Sequence, residues 1–139
     1  MGKTVVHVMQ RNDIDCGLAC AAIIAGVEYE RAAEADPLPD AERGLRVEEM
    51  KQVLSTLTKN DWRVSRRHYG KPFGELKVNG LHAVLIRKSK ATLGHWIAYD
   101  GETVYDPELD EPCPAWAFDL LKWEVVRLLL PSGRPSASF

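Results

Sequence analysis

Residues 16–26 read CGLACAAIIAG, ten positions without a charged or amide side chain, closed by a glycine. A helix made from this run has no face to give to water, so it must be enclosed on every side. Gly26 suits the left-handed residue that ends such a helix. One buried helix therefore constrains the whole fold, and the flanking sequence has to cover it.

The chain's 139 residues suit a single domain. At that size roughly two-thirds of the unfolded surface is buried, and no cross-links are needed. Residues 4–9 are valine-rich and predict a short opening strand. Residues 28–35 read as a second short helix, stopped ahead of Pro37. Residues 37–46 form a loop. Val47, Met50, Val53, Leu54 and Leu57 recur at helical spacing, which predicts an amphipathic helix over residues 47–58. After Asn60 the period changes. Residues 62–67 alternate like a strand, residues 71–80 are turn-rich, and residues 81–86 are an almost continuous apolar strand. Residues 96–99 and 103–105 flank the dipeptide Asp100-Gly101. Residues 114–122 predict a last helix and residues 124–130 a last strand. Helices come first and strands follow, the order of an α+β domain with N-terminal helices packed on an antiparallel sheet, here residues 1–130. The final segment, PSGRPSASF, predicts a disordered tail over residues 131–139.

Composition narrows the function. A net charge of -2 offers no electrostatic case for nucleic acid or an anionic membrane. No stretch approaches the ~20 apolar residues of a membrane helix. The opening MGKTVVHVMQRND lacks the apolar run of a signal peptide. Three cysteines, Cys16, Cys20 and Cys113, are too few and too odd in number for a disulfide framework. A reducing, cytoplasmic compartment is expected, where the question becomes whether one thiol is reactive. No cofactor is expected.

Cys16 falls in the first turn of the buried helix. Amide dipoles there favour an anion, lower a thiol pKa and produce the nucleophilic thiolate. Gly17 leaves room beside the sulfur for a substrate backbone. Gln10, six residues upstream, is placed to donate to an oxyanion together with the Cys16 N–H. Asp13 and Asp15 oppose a thiolate by like charge, and N-capping is the role expected of them. Taken alone, Cys16 is as readily a core residue as a nucleophile, because free cysteine is among the most buried residue types. Cys20, one turn on, is read as core, and Cys113, within Pro-Cys-Pro, as an incidental thiol. His82 reads as a strand residue, and His7 and His68 as surface.

The segment GHWIAYDGETVYDPE carries a hairpin signal, since Asp-Gly favours a two-residue turn. With Asp100 and Gly101 as the turn, Tyr99 faces Glu102 and, counting outward, His95 faces Asp106. Opposed residues share a sheet face with Cβ atoms ~4.5–5.5 Å apart. That is within hydrogen-bond reach for imidazole and carboxylate, the pairing that orients a catalytic base. A cross-strand pair serving only sheet stability, worth roughly 0.2–1 kcal/mol, fits the same pattern.

In chain order the residues run Gln10, Cys16, His95, Asp106. The run QRNDIDCGLAC, residues 10–20, resembles the active-site segment of the bacteriocin-processing, double-glycine leader peptidases, a branch of the papain-like cysteine peptidases. Residues 94–107, ending in Tyr-Asp-Pro, are similar to that family's histidine strand and Asp-Pro strand. The resemblance implies a papain-like fold; family members are commonly the N-terminal domain of a membrane exporter, and a stand-alone domain is the expectation here, as a departure from that pattern. It implies Cys16 as nucleophile, His95 as general base, Asp106 as orienter and Gln10 in the oxyanion hole. A peptide or isopeptide amide in a peptide or protein substrate is then the expected target. Three other readings stay open: a catalytically silent papain-like domain that binds peptide, an acyltransferase or transglutaminase using the same triad, and a zinc site from Cys16, Cys20, Cys113 and His95. The loops at residues 37–46 and 69–80 are expected to shape the cleft.

Overall fold

The computed structural model describes residues 5–12, 14–88 and 94–135. Three helices come first: α1 (Cys16–Ala25), α2 (Tyr29–Glu34) and α3 (Val47–Thr58). Strands β1 (Asn60–Ser65), β2 (His82–Lys88), β3 (His95–Tyr99), β4 (Thr103–Tyr105), β5 (Cys113–Pro114) and β6 (Trp123–Pro135) follow, with a short helix α4 (Ala115–Asp119) before β6. They form one antiparallel sheet in the order β1-β6-β2-β3-β4-β5. Among the described residues no helix is long and apolar enough to cross a membrane.

The sheet is buried on both faces, and the sequence of β2 shows why. Ala83 packs with the core built around α1 and α3, and Val84 and Ile86 join a second core on the opposite face. A strand covered on both sides reads as an unbroken apolar run. On the α1 side the cross-strand partners are the small pair Ala83 and Ala98. They meet a helix whose Ala19, Ala21 and Ala22 have no exposed surface, and small side chains on both surfaces let helix and sheet approach closely. The opposite face carries the bulk: Phe73, Ile97, Phe118 and Leu76, closed over by α4 and a single turn of 3-10 helix at Phe73–Glu75. Gly26, at φ 70, ends α1 in the left-handed conformation.

Three expectations need correction. Residues 5–10 form no strand. Val5 and Val8 instead pack against the α1 core, and the segment is tied down by Gln10 N–H donating to the Pro107 carbonyl (2.9 Å) and by a 2.7 Å bond between His7 Nε2 and the Leu109 carbonyl. Valine enrichment signals a fit to packed apolar surface, which a helix face supplies as well as a sheet does. The last helix is shorter than its apolar run, ending at Asp119. The tail is ordered further than expected, because β6 continues through Pro135. Its partners there are Trp62, opposite Pro131, and Asn60, opposite Pro135. β2 reaches no further along β6 than Ala83 opposite Leu129. Beyond that point β6 has a single neighbour among the described residues, so its prolines withhold no hydrogen bond from a second described strand. Residue 4 and residues 136–139 lie outside the described residues.

Candidate active site

Cys16 is the first residue of α1, and His95 is the first residue of β3. The two elements meet end on, with the Trp96 backbone N–H donating to Cys16 Sγ at 3.5 Å. The approach depends on Gly17. A Cβ there would lie 3.0 Å from Leu45 Cδ1 and 3.2 Å from Trp96 Cδ1. The Trp96 indole donates to the Leu45 carbonyl (2.9 Å), locking the loop before α3 against the same helix turn.

The loop before Cys16 is built by Asp15, though not as an N-cap. The Asp15 carboxylate makes no bond to the first-turn amides of α1. It accepts from the backbone N–H groups of Arg11 (3.0 Å) and Asn12 (3.0 Å) and from Tyr29 Oη (2.7 Å), at 5% exposure. A carboxylate spent on the upstream loop leaves the helix start to other anions. Asp13 lies outside the described residues. Gln10 is half-buried, its Nε2 donating to the Asn12 carbonyl (2.9 Å) and its Oε1 buried without a partner among the described residues.

His95 Nε2 and Asp106 Oδ1 are 2.6 Å apart, with the two residues 8% and 3% exposed. The same oxygen accepts the Glu108 N–H (2.9 Å). The hairpin that brings them together is offset by two residues from the expected register. Tyr99 pairs with Val104 and Ala98 with Tyr105. The reversal falls on Gly101-Glu102, with Gly101 at φ 100 and the Asp100 carboxylate accepting the Glu102 (2.9 Å) and Thr103 (2.7 Å) N–H groups. Asp106 thus lies diagonal to His95 instead of opposite. An even offset keeps both side chains on one face, where an odd one would have separated them.

The imidazole is walled on its other side by Trp123, stacked at 5.7 Å and 27°. Phe118 lies parallel to Trp123 at 6.1 Å, and Lys88 Nζ sits 4.4 Å from its ring centre. Burial works against a charged ring, but hydrogen bonding to Asp106 and then to Cys16 outweighs it, so the His95 pKa is pushed up from 6.5 to about 10. With Nε2 on Asp106, Nδ1 is the nitrogen left for the sulfur. Burial, and next the nearby Cys16, pushes the Cys20 thiol well above its ordinary pKa, so it stays neutral in the core.

The loops expected to shape the cleft line hollows on either side. Residues from 36 to 45 wall a cavity of about 110 Å³ beside the first turn of α1, and Gly70 and Pro72 border one of about 230 Å³ against Trp123. Cys113 is half-buried in β5, paired with Val104. Among the described residues the side chains that could jointly hold a metal are His95, Asp106 and Glu108, within 4.8 Å of one another, and no cysteine joins them. Sequence reading missed Trp96, Trp123 and Glu108. Trp96 follows His95 directly and Glu108 lies two past Asp106, so adjacency was a usable signal. Trp123 is 28 residues from His95 in the chain, and no local pattern announces it.

No protein-family model matches the sequence, and no curated protein matches it either. Among solved structures, the chain is similar to the crystal structure of a double glycine motif protease from an AMS/PCAT transporter in complex with the leader peptide. The two share 17% identity over 96% of this chain and 93% of that one, with a TM-score of 0.65. The fold is that of a papain-like peptidase. At that level of identity the likeness shows the fold alone, helices packed on an antiparallel sheet.

Proposed function

We propose that the chain is a cysteine peptidase that cleaves a peptide or isopeptide amide through an acyl-enzyme. Cys16 is the nucleophile, as thiolate beside an imidazolium at His95. The sulfur attacks the substrate carbonyl, and the oxyanion is held by the Cys16 N–H and an amide N–H of Gln10. His95 gives its Nδ1 proton to the leaving nitrogen as the C–N bond breaks. It then takes a proton from water as the water displaces sulfur, which releases the acid and regenerates the thiolate. Asp106 orients the ring throughout. The observation that carries this reading is Cys16 Sγ at 3.5 Å from the backbone N–H of Trp96, the residue after His95, with Asp106 on Nε2 of the His95 ring. Three free cysteines support a reducing, cytoplasmic setting. The leader peptide bound by the similar protease supports a peptide as substrate.

Mass spectrometry of candidate substrates tests the proposal, using peptides with a Gly-Gly leader end and isopeptide-linked proteins. Wild type should cleave at least one, and Cys16→Ala should cleave none while keeping its fold. Equal cleavage by both proteins would reject Cys16 as nucleophile. Adding a primary amine to the reaction separates hydrolysis from acyl transfer, because transfer yields the amide product.

A further inference from the structure

Two sets among the ten arginines of this chain contrast in their partners. Arg11, Arg31, Arg43 and Arg87 are ion-paired, to Glu30, Glu34, Glu49 and Glu124. Arg63, Arg66 and Arg67 are exposed and have no ion pair among the described residues. They cluster on β1 and the turn after it, in a stretch (residues 59–71) with five lysines and arginines against one aspartate. Arg63, Arg67 and His68 rim a cleft of about 340 Å³ whose floor is Leu128 and Leu130. Arg63 pairs across with Leu130 and Ser65 with Leu128, so the cationic rim and part of the apolar floor share one sheet face. Next in the chain after His68, the Tyr69 ring is approached by Arg87 at 5.0 Å and by Arg127 at 5.3 Å. Among the described residues β1 is an edge strand, with β6 as its only neighbour in the sheet.

We propose that this cleft binds an acidic segment of a polypeptide, laid in extended form along β1. Guanidinium forks match carboxylates, and two of them on one wall select a segment with repeated acidic side chains. The apolar floor takes side chains between the acids. A nucleic acid would use the charge but not the floor. Three strand spacings, roughly 14 Å, separate β1 from β3 and His95. The cleft is therefore a docking site apart from the proposed chemistry, and its test needs no turnover.

Fluorescence anisotropy with a labelled peptide alternating aspartate and leucine provides the test. Wild type should bind it with an affinity that falls as salt rises, and should ignore the lysine counterpart. Arg63→Gln/Arg67→Gln should weaken binding about tenfold or more, while Arg31→Gln leaves it unchanged. Chemical shifts of residues 60–68 in the wild-type protein should move on adding the peptide, a readout that does not depend on the variants folding. Equal binding of acidic and basic peptides, shifts confined to other residues, or tighter binding of a single-stranded oligonucleotide of equal charge would overturn the proposal. So would a double variant that binds as well as wild type but self-associates, since the arginines would then only guard an open sheet edge.

Discussion

Two buried carboxylates do different work beside the proposed nucleophile and base. Asp106 acts on a side chain, holding one nitrogen of His95 at 2.6 Å. Asp106→Asn keeps the volume and removes the charge that favours imidazolium. It should lower kcat/KM by about 10²–10⁴-fold, and an NMR titration should find the His95 pKa shifted down from its wild-type value. Asp15 acts on backbone, gathering two loop amides and the Tyr29 hydroxyl. Asp15→Ala strands those donors in a buried place and should cost about 2–4 kcal/mol in urea unfolding. Asp15→Asn, which keeps one acceptor oxygen, should cost less.

At the scale of elements, the β3–β4 hairpin carries the geometry. Its turn is set by Gly101, whose φ of 100 an L side chain rarely adopts and where a Cβ would sit 2.3 Å from the Val78 carbonyl oxygen. Gly101→Ala has both a backbone and a contact penalty, so the loop must shift. A loss of about 1–3 kcal/mol is expected, measured as a lower urea midpoint. His95 and Asp106 should part at the same time, visible as a fall in the His95 pKa. Trp123 contributes from a third element, β6, stacking on the ring and keeping water from one side of the ion pair.

For the molecule as a whole, the His95–Asp106 pair couples stability to pH. The folded-state pKa of His95, about 10, lies above the ordinary 6.5. The folded protein therefore holds the proton more tightly than the unfolded chain. The stabilisation is fully present below pH ~6.5 and is lost as pH rises through the folded value. Urea unfolding of wild type and His95→Gln across pH 6–11 should show the two curves converging on the alkaline side. A gap independent of pH would reject an ionised pair.

Much of this protein is legible in one dimension. The all-apolar run at residues 16–26 demanded a buried helix, and helix-period and strand-period segments in that order specified helices on an antiparallel sheet. Asp-Gly placed a hairpin between His95 and Asp106. These readings work because burial and turn chemistry act within a few residues. The turn falls one position later than Asp-Gly alone predicts, changing the register by two residues, and it puts Gly101 where a Cβ would lie 2.3 Å from the carbonyl oxygen of Val78, a residue from elsewhere in the chain. Asp15 left its expected capping place because Tyr29 and the upstream amides were closer partners. The valines near the start found a helix face before they found a strand, and β6 ran on into the expected tail because β1 offered it hydrogen bonds. In each case a partner distant in sequence chose among conformations that local sequence left nearly equal, and only the folded chain brings such partners into contact.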